Sequence, residues 1–100
     1  MRLRFEDEDL RRLFEDASFR HPRLGDDLVK SYRKKLAFLS AAMNVQDVRS
    51  MKSLHLEKLS GKRKGQHSIR LNDQWRVILR FEQAQTEGTV TVIVEIIDYH

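Results

Sequence analysis

Three cations in a row, Lys62, Arg63 and Lys64, lie between Gly61 and Gly65. Glycines on either side let a backbone approach a ligand closely, and the placement suits a phosphate. The segment is not a P-loop, because the Gly-to-Gly spacing and the missing Gly-Lys-Ser/Thr ending both fail that pattern; nucleotide hydrolysis is set aside. The chain closes on Asp98, Tyr99 and His100 after a run of strand-forming residues. A strand there would deliver three polar, proton-handling side chains to one edge of a sheet. The plainer alternative is an ordinary strand end, with Tyr99 half packed and His100 solvated. Four histidines, His21, His55, His67 and His100, form no HExxH or other close ligand pattern and have no carboxylate cluster beside them, so no metal site and no cofactor is expected. With no cysteine, a disulfide framework, a thiolate zinc site and a thiol nucleophile are all excluded.

Charge is unevenly placed along the 100 residues, whose net charge is +4. Residues 1–16 hold six acids and four bases, whereas Arg49 to Arg80 holds nine Lys or Arg against only Glu57 and Asp73. A concentrated basic stretch is what a polyphosphate partner requires, since cations displace condensed counterions without reading sequence. A solvated lysine-rich face would show the same counts. The amino terminus lacks the apolar stretch of a secretory signal, and no segment approaches the roughly 20 apolar residues of a membrane span, so a cytoplasmic protein with no membrane partner is expected.

The elements that must position these residues follow from periodicity. Arg2 to Phe5 alternates as a short first strand; Leu10, Leu13, Phe14 and Ala17 then recur at helical spacing, with Asp7 or Asp9 as cap. After a break at His21, Pro22 and Gly25, Asp26 or Asp27 caps a second helix that runs to about Ala42 and carries Leu28, Tyr32, Leu36 and Leu39 on one stripe. Its opposite face, with Lys30, Arg33, Lys34 and Lys35, reads as solvated. Asn44 to Ser50 is a short helical turn or loop, and Leu54 to Leu59 a further strand. His67, Ile69 and Leu71, then Trp75, Val77, Leu79 and Phe81, describe a hairpin with one apolar face, turned by Asn72 and Asp73. Thr89 to Ile97 suits a strand buried on both sides. The expected fold is α+β: one domain over residues 1–100, with two N-terminal helices packed on a mostly antiparallel sheet of three to five strands.

Leu56-Glu57-Lys58-Leu59-Ser60-Gly61, Gly65-Gln66-His67-Ser68-Ile69-Arg70-Leu71-Asn72, Trp75-Arg76 and the terminal Asp98-Tyr99-His100, taken in order, resemble the HigB toxins of the RelE superfamily. Each motif alone is weak, but the ordered set is specific and spans nearly the whole chain. The resemblance implies a microbial-RNase-like fold and cleavage of messenger RNA in the decoding site of the ribosome. It also implies a cognate helix-turn-helix, HigA-like antitoxin that neutralises the toxin and through which alone it meets operator DNA.

Cleavage through the 2′-hydroxyl needs a base for its proton, a cation for the charge building on the phosphate and an acid for the departing 5′-oxygen. On the resemblance, Glu57 is the base, Arg76 the cation and His100 the acid, whose ordinary titration range lies near neutrality. Tyr99 stacks on or orients a base, and Asp98 holds His100 or the backbone beside it. Lys58, Arg70, Arg80 and the Lys62, Arg63, Lys64 triplet grip RNA phosphates. Read without the resemblance, Glu57 is equally a surface partner for a lysine, and Arg76 a solvated strand arginine. The sequence also departs from its relatives. Several have a histidine where Glu57 stands and a lysine where Ser60 stands, so those roles do not transfer, while other branches use a glutamate base at the corresponding point. His55 is the alternative base, although a one-step shift in register would reverse its face if this segment is a strand.

Overall fold

A computed structural model describes residues 1–99 of the protein. Strand β1 (Arg2–Phe5) leads into helix α1 (Glu8–Glu15), whose cap is Asp7: its carboxylate accepts from the Asp9 and Leu10 amides at 2.7 and 3.3 Å. The helix ends one residue short of Asp16, so Ala17 lies outside it and is exposed. Helix α2 (Asp26–Ala41) is capped by the backbone of Gly25 and not by an aspartate side chain; Asp26 and Asp27 stand in the first turn, where they complement the helix dipole. A third helix, α3 (Val45–Ser50), is capped by Asn44, whose side chain accepts from the Asp47 amide. The expected strand over Leu54 to Leu59 shrinks to the two residues of β2 (Glu57–Lys58), because a 3-10 turn at Lys52–Leu54 and a left-handed His55 (φ 46°) occupy its start.

After a second 3-10 turn at Gly61–Arg63 come β3 (His67–Arg70), β4 (Trp75–Ala84) and β5 (Gly88–Asp98). The five strands lie in the order β1-β5-β4-β3-β2, antiparallel except for β1 against β5. Three helices on a five-stranded mixed sheet make the α+β architecture expected from the sequence, with one helix more than expected. The core lies between sheet and helices, where Leu13, Tyr32, Leu36 and Leu39 meet Ile69, Val77, Leu79 and Ile93. Tyr32 is buried because its hydroxyl has a partner: it donates to the Leu10 carbonyl at 2.8 Å.

Two corrections to the sequence reading bear on the site. The hairpin is not apolar on one face alone, since Ser68, Arg76 and Ile78 on the side away from the helices are buried too. Nor is the basic face of α2 simply solvated. Arg33 donates to the Leu13 carbonyl at 2.7 Å, and Lys35 donates to the carbonyls of Ser53 and Arg70 at 3.2 and 2.6 Å. Long cations thus tie α2 to the last turn of α1, to the Ser53 turn and to the end of β3.

A bulge decides which face the chain end serves. Ile78 pairs with Glu95 and Leu79 with Ile93, which leaves Val94 as an extra residue in β5. Alternation puts Ile93 on the helix side, so an unbroken strand would turn Glu95, Ile97 and Tyr99 that way as well. The extra residue reverses the parity and brings them to the face of Arg76.

Candidate active site

On that open face, His55, Glu57, Arg70, Asn72, Asp73, Arg76 and Tyr99 line a cavity of about 310 Å³. The strand ladder assembles it: Glu57 pairs with Ser68, Arg70 with Arg76, and Trp75 with Asp98. The β3–β4 turn is shaped by Asn72, whose side-chain oxygen accepts from the Gln74 and Trp75 amides at 2.9 and 2.7 Å. Beyond β5 the Tyr99 amide donates to the Gln74 carbonyl at 2.6 Å, which fixes Tyr99 at the cavity.

Arg76 is the centre of the site. It is 7% exposed, an unusual state for a guanidinium, and its burial is tolerated because acceptors are built around it. Nε donates to the Ser68 hydroxyl at 2.7 Å, and Nη2 donates to the Ser68 carbonyl at 3.3 Å and to the His55 carbonyl. Nη1 is left facing Glu57 across 3.9 Å, and the Tyr99 ring centre lies 5.4 Å from the guanidinium carbon. The Tyr99 hydroxyl is 3.5 Å from Glu57 Oε2, a loose contact. A carboxylate, a fixed cation and an aromatic face therefore surround one open space. Glu57 is half exposed, so its oxygens are free to reach an incoming hydroxyl. Among the described residues, no three His, Asp or Glu side chains converge to hold a metal ion.

The other expected site residues divide. Arg70 lines the cavity, braced by Asp73 and by the Asn72 carbonyl at 3.2 Å. Asp98 accepts from the Gln74 amide side chain at 2.9 Å and pairs with Trp75, on the other face of the sheet from Arg76; it does not line the cavity. Lys62 and Lys64 are exposed on the turn before β3, whereas Arg63 is paired with Glu95 and bonded to Gln66 at 3.2 Å. Lys58 points to the opposite face from Glu57, beside His67. Arg80 lies further along β4, bound to Glu6 and to Glu82 at 2.6 Å, away from the cavity. His100 lies outside the described residues. Ser68 escaped the sequence reading as a site residue; its signal was its place opposite Ile78 in the ladder, one step from the register of Arg76, which no pattern of apolar residues records. His55 lines the cavity from a left-handed turn just before β2 and not from a strand.

The fold is that of a RelE-like toxin: the structure matches a YoeB/ParE toxin from Agrobacterium tumefaciens over 100% of both chains with a TM-score of 0.54, a likeness of fold at 16% identity. In sequence, residues 3–100 match the family model of HigB-like toxins, the RelE-like toxins of the type II toxin-antitoxin system HigB. Toxin HigB-1 of Vibrio cholerae is 35% identical over 81 residues, which cover 81% of this chain and 84% of that protein. An uncharacterized protein of Haemophilus influenzae is 35% identical over 84 residues, covering 84% and 82%. The chain belongs to the HigB-like toxin family. It is a type II toxin of the RelE and HigB kind, which implies an antitoxin partner. No helix among the described residues is long and apolar enough to cross a membrane.

Proposed function

We propose that this toxin is an endoribonuclease that cuts messenger RNA in the decoding site of the ribosome and so stops translation. The observation that supports it is the convergence of Glu57, Arg76 and Tyr99 on one open cavity. In this reading Glu57 takes the proton of the 2′-hydroxyl, whose oxygen attacks the adjoining phosphorus. Arg76 binds the phosphate oxygens as negative charge grows on them; held by the protein, it needs no reorganisation at that moment. His100 protonates the leaving 5′-oxygen, and the products are a 2′,3′-cyclic phosphate and a 5′-hydroxyl. Tyr99 stacks on a base beside the scissile bond, with Asp98 steadying the chain end. Arg70, Lys62 and Lys64 serve the flanking phosphates, with smaller parts for Lys58, Arg63 and Arg80. The reaction is metal-independent, and it takes place in the cytoplasm. The antitoxin is HigA-like, a helix-turn-helix protein that also carries the pair to operator DNA.

Primer extension on a defined messenger RNA, with and without ribosomes programmed with it, tests the reading. Wild-type protein is expected to cut only with ribosomes, at the decoding site. Glu57→Gln, Arg76→Lys and His100→Ala are each expected to lower the rate by roughly 100-fold or more. Ribosome binding without cutting by folded wild-type protein would leave a non-catalytic binding module.

A further inference from the structure

Arg76 is held in its orientation by acceptors on Ser68 and His55. Ser68 is 0% exposed and lies on β3, beneath the guanidinium, where it offers two acceptors: its hydroxyl to Nε at 2.7 Å and its carbonyl to Nη2 at 3.3 Å. The third acceptor is the carbonyl of His55, the one described non-glycine residue with positive φ. Left-handed backbone is disfavoured for a residue with a Cβ, and here it turns that carbonyl toward Nη2. Two acceptors meet Nη2 and one meets Nε. The Nη1 edge alone faces Glu57 and the cavity. A guanidinium is planar, so fixing Nε and Nη2 fixes the direction of both Nη1 protons.

We propose that Ser68 is a positioning residue, which acts through Arg76 by setting the roll of its guanidinium so that the Nη1 edge faces the scissile phosphate. The role rests on the nuclease reading above. Without the hydroxyl, the Nε proton loses its one acceptor among the described residues in a buried place, and the group turns to find another. The phosphate then meets a cation of unchanged charge in the wrong orientation. Binding of RNA should survive, while the rate of the bond-breaking step should not.

The test joins single-turnover cleavage on programmed ribosomes with nuclear magnetic resonance of the arginine side chains. Ser68→Ala is expected to lower the cleavage rate constant roughly 10- to 100-fold while leaving the half-saturating ribosome concentration within about twofold. Ser68→Thr, which keeps the hydroxyl, is expected to restore most of the rate. In an Arg76→Ala background, Ser68→Ala should cost nothing further. In the free protein, slow exchange of the Arg76 Nε proton should become fast in Ser68→Ala and stay slow in Ser68→Thr. Equal losses of rate from Ser68→Ala with and without Arg76, or an unchanged Nε exchange rate, would overturn the proposal. If wild-type protein cuts nothing, the nuclease reading fails, and fast exchange in Ser68→Ala still establishes that Ser68 holds Arg76.

Discussion

Arg76 shows how a sequence-level cation becomes a tool. Burying a guanidinium is costly unless its donors are met, and here the matching acceptors come from Ser68 and His55. That its neighbour Trp75 packs toward the core follows from strand alternation; that Arg76 is buried as well does not. Tyr99 is the reverse case, 46% exposed and held, among the described residues, by its backbone and by loose contacts. Its ring should matter and its hydroxyl should not. Tyr99→Phe is expected to cleave within about threefold of wild type, whereas Tyr99→Ala should lose roughly 10-fold or more, in the range of one base-stacking contact. Steady-state cleavage of the same programmed ribosomes separates the two. On the helix side of β3, His67 stands with its ring centre 5.1 Å from that of Phe81 and its Nδ1 buried without a partner among the described residues. Burial, and then the charges of Arg49 and Lys58, push its pKa below the ordinary 6.5. The unfolded chain therefore takes up this proton first as pH falls, so His67 costs the fold nothing above that value and erodes stability below it. From about pH 7 to about pH 5.5, the melting temperature of wild type should fall more steeply than that of His67→Gln.

The strands and helices place these residues, and they were legible to different degrees. Helices α1 and α2 and the β3–β4 hairpin could be read because their apolar stripes are regular and Asn72 is a turn former. The segment from Lys52 to Lys58 could not, since three short conformations share it and none is long enough to impose a period. The bulge at Val94 was hidden for another reason: Thr89 to Ile97 is almost uniformly β-branched, so the sequence carries no alternation for the extra residue to interrupt. Glu57, Arg76 and Tyr99 were each named from a resemblance, but their meeting depends on that parity change and on the turn at His55. Helix α2 braces the site from behind. Ser31 donates to the Leu71 carbonyl at 2.7 Å, while Lys35 ties Ser53, before the His55 turn, to Arg70 at the end of β3. Desolvation, and then the charges of Arg70, Lys34 and Arg76, lower the Lys35 pKa, and its two carbonyl partners offset that cost. Lys35→Met keeps the stem and removes both bonds. It is expected to lower stability by about 1–3 kcal/mol in urea unfolding and to reduce cleavage further than that loss alone explains.

Across the whole molecule, the two faces of the sheet have separate duties. One is packed against three helices; the other holds the cavity, while Lys62 and Lys64 are exposed on the turn before β3. Several basic residues of the second half are tied up in ion pairs, Arg63 with Glu95 and Arg80 with Glu6 and Glu82 among them, so the sequence count overstates the charge free to meet a polyanion. The free lysines should then carry much of the salt dependence of ribosome binding. Replacing Lys62 and Lys64 by alanine is expected to flatten the plot of log affinity against log salt by roughly 0.7 per lysine, with little change in the cleavage rate at saturation. A salt titration of binding to programmed ribosomes would read that slope.

The central claim is that the cavity activates a 2′-hydroxyl, and one substrate change addresses it directly. A messenger RNA with a single 2′-deoxy nucleotide at the scissile position, placed in the decoding site, should be left intact by wild-type protein while the unmodified message is cut to ends bearing a 2′,3′-cyclic phosphate and a 5′-hydroxyl. Cutting of the deoxy-substituted message at the same bond would contradict the account, because no nucleophile would then remain for Glu57 to activate.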